Sequence, residues 1–299
     1  MKHKKEYMYY LASIEKRSAN TINGYIKDIE TFEKWLKSEF KKDLLKATTD
    51  DVDNYTGYCT VELKNASSTV NKKIAGIRKY YAYCVKKHGL AINPATEATR
   101  QKVKKKDPKF LTEKDVSKLL KVVKKDKRQN TTTEAKVRDY AMFKIMIAGG
   151  LRVSELCNLK PEHIDFNNKL LYVIGGKGDK DRIVPLGDST IEAIQEYYDV
   201  RATFSPKVEN IFVTKNGAEF NRRMMNKKLK SYCELAGLDA KSIHPHTLRH
   251  TCATLTYAGC GDIRAVQDLL GHTSTEMVSK YVHMVENQVR SAVLSNKFA

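Results

Sequence analysis

The sequence predicts a mainly α protein of two domains, each largely helical, with one small antiparallel β-sheet in the second. Three observations carry this reading. Apolar residues recur at three- and four-residue spacing through most of the chain, alternating β-rich runs occur only between Lys169 and Leu186, and a basic stretch with almost no apolar content divides the chain. At 299 residues the chain is also long for one core, given about 100–200 residues per domain.

In order along the chain, Ile22, Tyr25, Ile26, Ile29, Phe32, Trp35 and Leu36 form one helical stripe, with Ser18 or Asn20 placed to cap its first turn. Thr49-Asp-Asp-Val opens a second helix. Ser67 or Ser68 precedes a third, striped by Val70, Ile74, Ile77, Tyr81, Cys84 and Val85. Residues 1–97 are therefore expected to form a helical bundle. Residues 98–109, where like charges crowd, are expected to be an extended, solvated linker.

The second domain, 110–299, begins with Thr112-Glu-Lys-Asp115, a capping signature before Val116, Leu119, Leu120 and Val123. A longer helix is expected from about Glu134 to Ala148, ended by Gly149-Gly150. Lys169–Ile174 and Arg182–Leu186 flank a glycine-rich turn and read as a hairpin. Pro245 suits the first turn of a helix; Asp262 can cap another that Gly271 terminates; Ser274 or Thr275 starts the helix bearing Tyr281.

A formal charge of +19 attracts polyanions, so nucleic acid is the expected partner. No apolar run is long enough to span a bilayer and no secretory signal opens the chain, so a cytoplasmic, nucleoid-associated protein is expected. The six cysteines stand singly among apolar or helical residues and read as reduced, packed thiols. No cofactor and no metal is expected: His244, His246, His250 and Cys252 lack the spacing of a zinc site.

Several residues carry chemistry suited to a phosphodiester, and each has a plain structural explanation too. His246 and Arg249, three apart at a helix start, can face phosphate, or can cap and pair with a carboxylate. Arg152 follows a glycine break, with Glu155 placed to brace it or simply to form an ion pair within the helix. Lys177, in a glycine-rich turn, can protonate a leaving alkoxide or be merely solvated, and its loop lacks the spacing of a nucleotide-binding loop. Tyr281 shares a face with Met277, Val278 and Val285 and can equally be a core tyrosine.

Taken together, Gly-Leu-Arg152-Val-Ser-Glu155-Leu, Gly-Lys177-Gly, His246-Thr-Leu-Arg249, Leu-Gly-His272 and Tyr281, in this order and spacing, closely resemble the tyrosine recombinases, the phage-type integrases and Xer recombinases. The resemblance covers essentially the whole chain. It implies the tyrosine recombinase fold, with 1–97 as a helical core-binding, SAM-like domain and 110–299 as the catalytic domain. It makes Tyr281 the nucleophile, Arg152 and Arg249 the phosphate clamps, His246, His272 and Lys177 their catalytic partners, and Glu155 the acidic support of Arg152. Val278, Ser279 and Lys280 depart from the threonines that often precede the family's tyrosine. The start directly at the core-binding domain favours a Xer-like member.

The resemblance further implies double-stranded DNA sites as substrate and a homo-tetramer on synapsed DNA, with a helix after Tyr281 docking on a neighbouring subunit. An accessory or directionality protein remains an open expectation. Thr69, Asn71, Lys72 and Lys73, opposite the apolar stripe, and Lys104, Lys105 and Lys106 in the linker are candidate DNA contacts. Two other readings stand beside this one: a type IB topoisomerase, and a DNA-binding regulator of the same fold without catalysis.

Overall fold

The computed structural model describes residues 1–103, 108–126, 128, 131–175 and 181–271, and its contacts divide the chain into two compact units, Met1–Lys105 and Lys106–Ala299. The amino-terminal unit opens with α1 (Lys4–Tyr9), which runs into a wider π-type turn at Tyr10–Ile14. Then come α2 (Ala19–Phe40), α3 (Thr49–Val61) and α4 (Ser67–His88). Ser18 is the cap of α2, its hydroxyl accepting from the Thr21 amide at 3.4 Å. Thr48 and Asp51 cap α3 reciprocally. Ala66 stands at the start of α4, so the serines expected before that helix lie inside its first turn.

The stripe of α2 is buried at Ile22, Ile26, Ile29, Phe32, Trp35 and Leu36, against Val70, Ile74, Ile77, Tyr81 and Cys84 of α4. At about 1.5–3 kcal/mol for each large apolar side chain fully removed from water, this seam holds the bundle more than helix propensity does. Val85, expected on the stripe, is exposed, because the buried face of α4 turns through Tyr80, Tyr81 and Tyr83 instead.

The expected linker also differs in its first part. Arg78 donates to the carbonyls of Ala95 at 2.7 Å and Ala98 at 2.6 Å, and Asn71 holds the Gln101 backbone through two hydrogen bonds of 2.9 Å. Ala95 and Ala98 are buried in this unit's core. Residues 98–101 are thus packed onto the bundle, with Ala98 in its core, since the backbone polar groups of Ala98 and Gln101 find partners there in place of water.

In the second unit, α5 (Glu113–Lys124) and α6 (Thr133–Gly149) are capped by Thr112 and Thr132, as side-chain acceptors for Asp115 and Ala135 amides. After the short α7 (Val153–Cys157) come β1 (Ile164–Asp165), β2 (Leu170–Val173) and β3 (Arg182–Pro185), an antiparallel sheet in that order. Leu171 pairs with Ile164 and Val184, and all three point to the core. The two-residue β1 was not anticipated; it is too short to show alternation.

Four helices complete the described part: α8 (Asp188–Arg201), α9 (Arg222–Leu235), α10 (Pro245–Cys260) and α11 (Ile263–Leu270). Around α6, whose Met142, Phe143, Ile145 and Met146 are fully buried, pack α5, α8 and α10. All six cysteines are free thiols; five are buried and Cys260 is exposed. Among the described residues no helix is long and apolar enough to cross a membrane.

Candidate active site

Gly150 sets the site. It ends α6 with φ +59°, a conformation that costs a residue with a Cβ, and an added Cβ would meet Leu270 Cδ2 at 2.7 Å and Cys252 Sγ at 3.1 Å. Only glycine lets the end of α6 approach α10 and α11 this closely. The chain then turns through Leu151 into Arg152, the residue that begins α7.

Glu155, in the first turn of α7, joins several cations. Its Oε2 accepts from the Arg152 amide at 2.8 Å, and its Oε1 accepts from Arg152 Nη1 at 2.9 Å. Arg182 at the start of β3 grips the same carboxylate bidentately, at 3.1 and 2.7 Å. Arg249 Nη1 lies 3.9 Å from Glu155 Oε2. Burial works to raise the Glu155 pKa, but hydrogen bonds and charge from Arg182, joined by the Arg152 amide and guanidinium, hold it below the ordinary carboxylate range. A buried carboxylate among guanidiniums stays ionised and orients them.

Arg249 is itself buried in α10. It donates to the Gly150 carbonyl at 2.6 Å and to the Leu270 carbonyl at 2.5 Å. The side chain of Arg152 keeps 23% of its surface exposed, against 4% for Arg249. The two guanidiniums, far apart in the sequence, therefore meet at one carboxylate, one facing outward and one held inside.

His246 sits at the head of α10, where Pro245 fills the first helical position and the His244 amide donates to Thr247 Oγ1 at 3.1 Å. The residue is exposed in outline. Even so, the protein around its ring displaces enough water, and Arg222, Arg249 and Arg152 add enough positive charge, to lower its pKa from the usual imidazole value. A neutral imidazole beside cations can accept a proton near neutral pH. The ring lines a cleft of 480 Å³ with Lys109, Arg222, Asn226, His244 and His250.

Of the residues singled out in the sequence, Arg152, Glu155, His246 and Arg249 are brought together here. Lys177, His272 and Tyr281, and Lys104, Lys105 and Lys106, lie outside the described residues. Thr69 and Lys72 are exposed on α4 of the other unit. Beside them Asn71 is engaged with Gln101, and Lys73 is half-buried, its Nζ 3.9 Å from Cys59 Sγ.

Sequence reasoning missed Arg182 and Arg222. The signal for Arg182 was present: strand alternation puts it on the same buried face as Val184, and a cation on a core face needs a carboxylate partner. Arg222, at the first turn of a helix that the sequence reading left unassigned, had no comparable mark.

One group elsewhere among the described residues has a donor set for a cation: His3, Glu6 and His88. Glu6 Oε2 lies 3.3 Å from His3 Nδ1 and 3.2 Å from His88 Nε2, while the two imidazoles stack with centroids 3.6 Å apart and planes 19° from parallel. Ring lone pairs lie in the ring planes, and planes so nearly parallel do not meet at a bond length of about 2.0–2.1 Å. As it stands the group is a carboxylate–imidazole clasp between α1 and the end of α4.

A family model described as "Phage integrase family" matches residues 109–288, and one described as "Phage integrase, N-terminal SAM-like domain" matches residues 5–88. The tyrosine recombinase XerC of Caldanaerobacter subterraneus subsp. tengcongensis is 31% identical, covering 97% of this chain and 85% of that protein. The XerC of Actinobacillus succinogenes is 34% identical over 71% of this chain and 69% of that protein. Among solved structures, the XerH site-specific recombinase bound to a palindromic difH substrate in a post-cleavage complex superimposes with a TM-score of 0.77 at 24% identity, over 91% of this chain and 78% of that one. A lambda integrase dimer bound to a COC′ core site gives 0.72 at 19% identity, over 93% of each chain. At these identities the structural likeness establishes the fold.

Proposed function

The chain belongs to the phage integrase family, and from that premise we propose that it is a Xer-like, site-specific tyrosine recombinase that cleaves and rejoins DNA through a 3′-phosphotyrosyl intermediate. The observation that carries the residue-level reading is the meeting of Arg152 and Arg249 at the Glu155 carboxylate. The reaction needs such a pair, because negative charge spreads over the non-bridging oxygens as the phosphorus is attacked, and preorganised guanidinium forks stabilise it.

In this mechanism the Tyr281 oxygen attacks the phosphorus in line. A phosphorus–phenolic oxygen bond forms, the bond to the 5′ oxygen breaks, and the strand leaves with a 5′-hydroxyl. His246, whose charged form is disfavoured first by loss of water around the ring and then by the neighbouring arginines, takes the phenolic proton. Lys177 gives a proton to the departing oxygen, and His272 donates a hydrogen bond to the phosphoryl group. A 5′-hydroxyl from the partner duplex then gives up its proton and attacks the phosphotyrosine; the new phosphorus–5′ oxygen bond forms as the phosphorus–phenolic oxygen bond breaks, Tyr281 leaves and regains a proton, and with one ester exchanged for another no external energy source enters.

The substrate of this reading is a pair of duplex sites brought together by four subunits, and its setting is the nucleoid. The net charge of +19 supports a polyanionic partner, and the proteins of like fold solved on DNA support a duplex one. For the amino-terminal domain we assign backbone contact to the exposed Thr69 and Lys72 of α4, with Lys73 of the same helix and Lys104–Lys106 of the linker adding charge. The amide of Asn71 keeps its role with Gln101.

The test is incubation with nicked duplexes tiled across the DNA flanking the gene, scored for covalent protein–DNA adducts on a denaturing gel. Wild-type protein is expected to form an adduct that Tyr281→Phe does not, with DNA binding retained. An adduct persisting in Tyr281→Phe would displace the nucleophile assignment. Supercoil relaxation without exchange between two sites would instead indicate a topoisomerase.

A further inference from the structure

We propose that Arg182 is a positioning residue for strand cleavage, which locks the base of the β2–β3 hairpin, the Glu155 carboxylate and the last turn of α11 into one unit. The proposal rests on the recombinase reading above for its catalytic consequence, and on hydrogen bonds alone for its structural one.

Three nitrogens of Arg182 are each engaged. Nη1 and Nη2 take the two oxygens of Glu155, and Nε donates to the carbonyl of Leu269 at 2.8 Å. Its side chain is 4% exposed, so it is not placed to touch a DNA phosphate. It acts through what it holds. Glu155 is the carboxylate that also binds Arg152, and Leu269 is next to Leu270, whose carbonyl takes Arg249. Two consecutive carbonyls at the end of α11 thus receive two buried arginines, one from the sheet and one from α10.

Helix ends leave their last carbonyls without intrahelical partners and carry partial negative charge, so a cation there both satisfies and orients the turn. Gly271 closes α11 at φ +64°, and His272 follows it in the chain. On the other side, Arg182 is the first residue of β3 and follows, in the sequence, the glycine-rich segment that contains Lys177. One guanidinium therefore connects the segments entering His272 and leaving Lys177 to the carboxylate shared by the clamp arginines. A lysine cannot replace it, because a single ammonium does not span both carboxylate oxygens and a carbonyl in one plane.

Two measurements on Arg182→Gln and Arg182→Lys test this. In hydrogen exchange, the amides of 268–271 are expected to lose protection in both variants while those of α5 do not; unchanged protection would overturn the anchoring. In single-turnover adduct formation on a duplex that the wild type cleaves, the Gln variant is expected to be about 100-fold slower and the Lys variant about 10-fold slower, with DNA affinity unchanged. The Gln variant should also lose rate as pH falls across a range where the wild type is flat, because Glu155 then protonates more easily.

Arg182→Gln combined with Glu155→Gln should be slower than Arg182→Gln alone, because Glu155 also holds Arg152, but by less than the product of the two single effects, since the two share a network. A wild-type rate and a flat profile in Arg182→Gln refute the positioning role. Should Arg182→Gln fail to fold, Arg182→Lys carries both measurements. If the wild type forms no adduct on any duplex, the recombinase reading fails, and the exchange data still decide whether Arg182 anchors α11.

Discussion

Two carboxylates buried in the second unit, Asp139 and Glu155, each gather cations, but from different partners and in different surroundings. Asp139 accepts from Arg138 at 3.0 and 2.7 Å, from Lys228 at 2.6 Å and from the Tyr232 hydroxyl at 2.9 Å, with none of its own side chain exposed. Arg138 is sandwiched 5.4 Å from Phe204 and from Phe220 and also donates to the Val213 carbonyl. Burial, and then the Asp139 carboxylate, push the Tyr232 phenol far above the ordinary tyrosine range. Here an arginine between aromatic rings, a lysine and a tyrosine hydroxyl make a pin around a carboxylate shut from water. Around Glu155 three arginines converge, and one of them, Arg152, is partly exposed and close enough to His246 to disfavour the charged form of its ring. Aromatic rings beside Arg138 and an exposed imidazole beside Arg152 make the difference between a structural pin and a site.

The comparison breaks first at Asp139. Asp139→Asn leaves the buried Arg138 and the partly exposed Lys228 short of a counter-charge, a change expected to cost roughly 3–5 kcal/mol of the second unit's stability, most of it at Arg138. Melting followed by circular dichroism checks this, and adduct formation per folded molecule should be unaffected. A variant that melts normally and cleaves slowly would erase the distinction between pin and site.

Arg152→Gln should behave in the opposite way. Its side chain is outward and Glu155 keeps Arg182, so melting should change little, while adduct formation should fall roughly 10²–10³-fold, as when a single preorganised donor is removed from a transition state. Single-turnover cleavage on a nicked duplex measures it. A large loss of stability would place Arg152 with the structural arginines.

A third measurement uses pH. Folding lowers the pKa of His246, so the native protein disfavours the charged ring, and protonation of the ring opposes the native state as pH falls. The ring therefore stays neutral at pH values where a free imidazole, near 6.5, would be charged. Adduct formation is expected to rise with pH through an apparent pKa below that value, and the limb should vanish in His246→Gln. An acid limb above about 6.5 would mean that neither loss of water nor the surrounding arginines act on this ring.

What the sequence made legible was local. Ser18, Thr112 and Asp262 were readable as caps because a capping side chain and its target amide are a few residues apart, and the hairpin was readable because alternation has a period of two. Helix α8 was not read: its buried face is Thr190, Ala193, Ile194 and Tyr197, where a threonine and an alanine blur the apolar contrast. In α9 the buried Met225, Leu229, Tyr232 and Cys233 sit among many charges. The Arg182–Glu155 pair spans 27 positions, and no periodicity records which buried arginine a carboxylate will meet. Arg152 and Arg249 were readable as a pair only through the resemblance of whole motifs.

The smallest expected effect tests that divide between local and long-range interactions. Thr112 Oγ1 accepts from the Asp115 amide at 3.2 Å, and Asp115 Oδ2 in turn accepts from the Thr112 hydroxyl and amide, all at an exposed helix start. Thr112→Ala should cost about 1 kcal/mol, a shift of roughly 2–4 °C in melting, and Thr112→Ser should recover most of it. The residue before it is tied to the helix of the site: the Leu111 amide donates to Thr251 Oγ1 at 2.8 Å on α10, two residues from Arg249. If caps are only local, cleavage per folded molecule will match the wild type. A drop in that rate would show that the entry to α5 sets the pose of α10, and would extend the open network around Glu155 to a residue whose role looked complete within four positions of sequence.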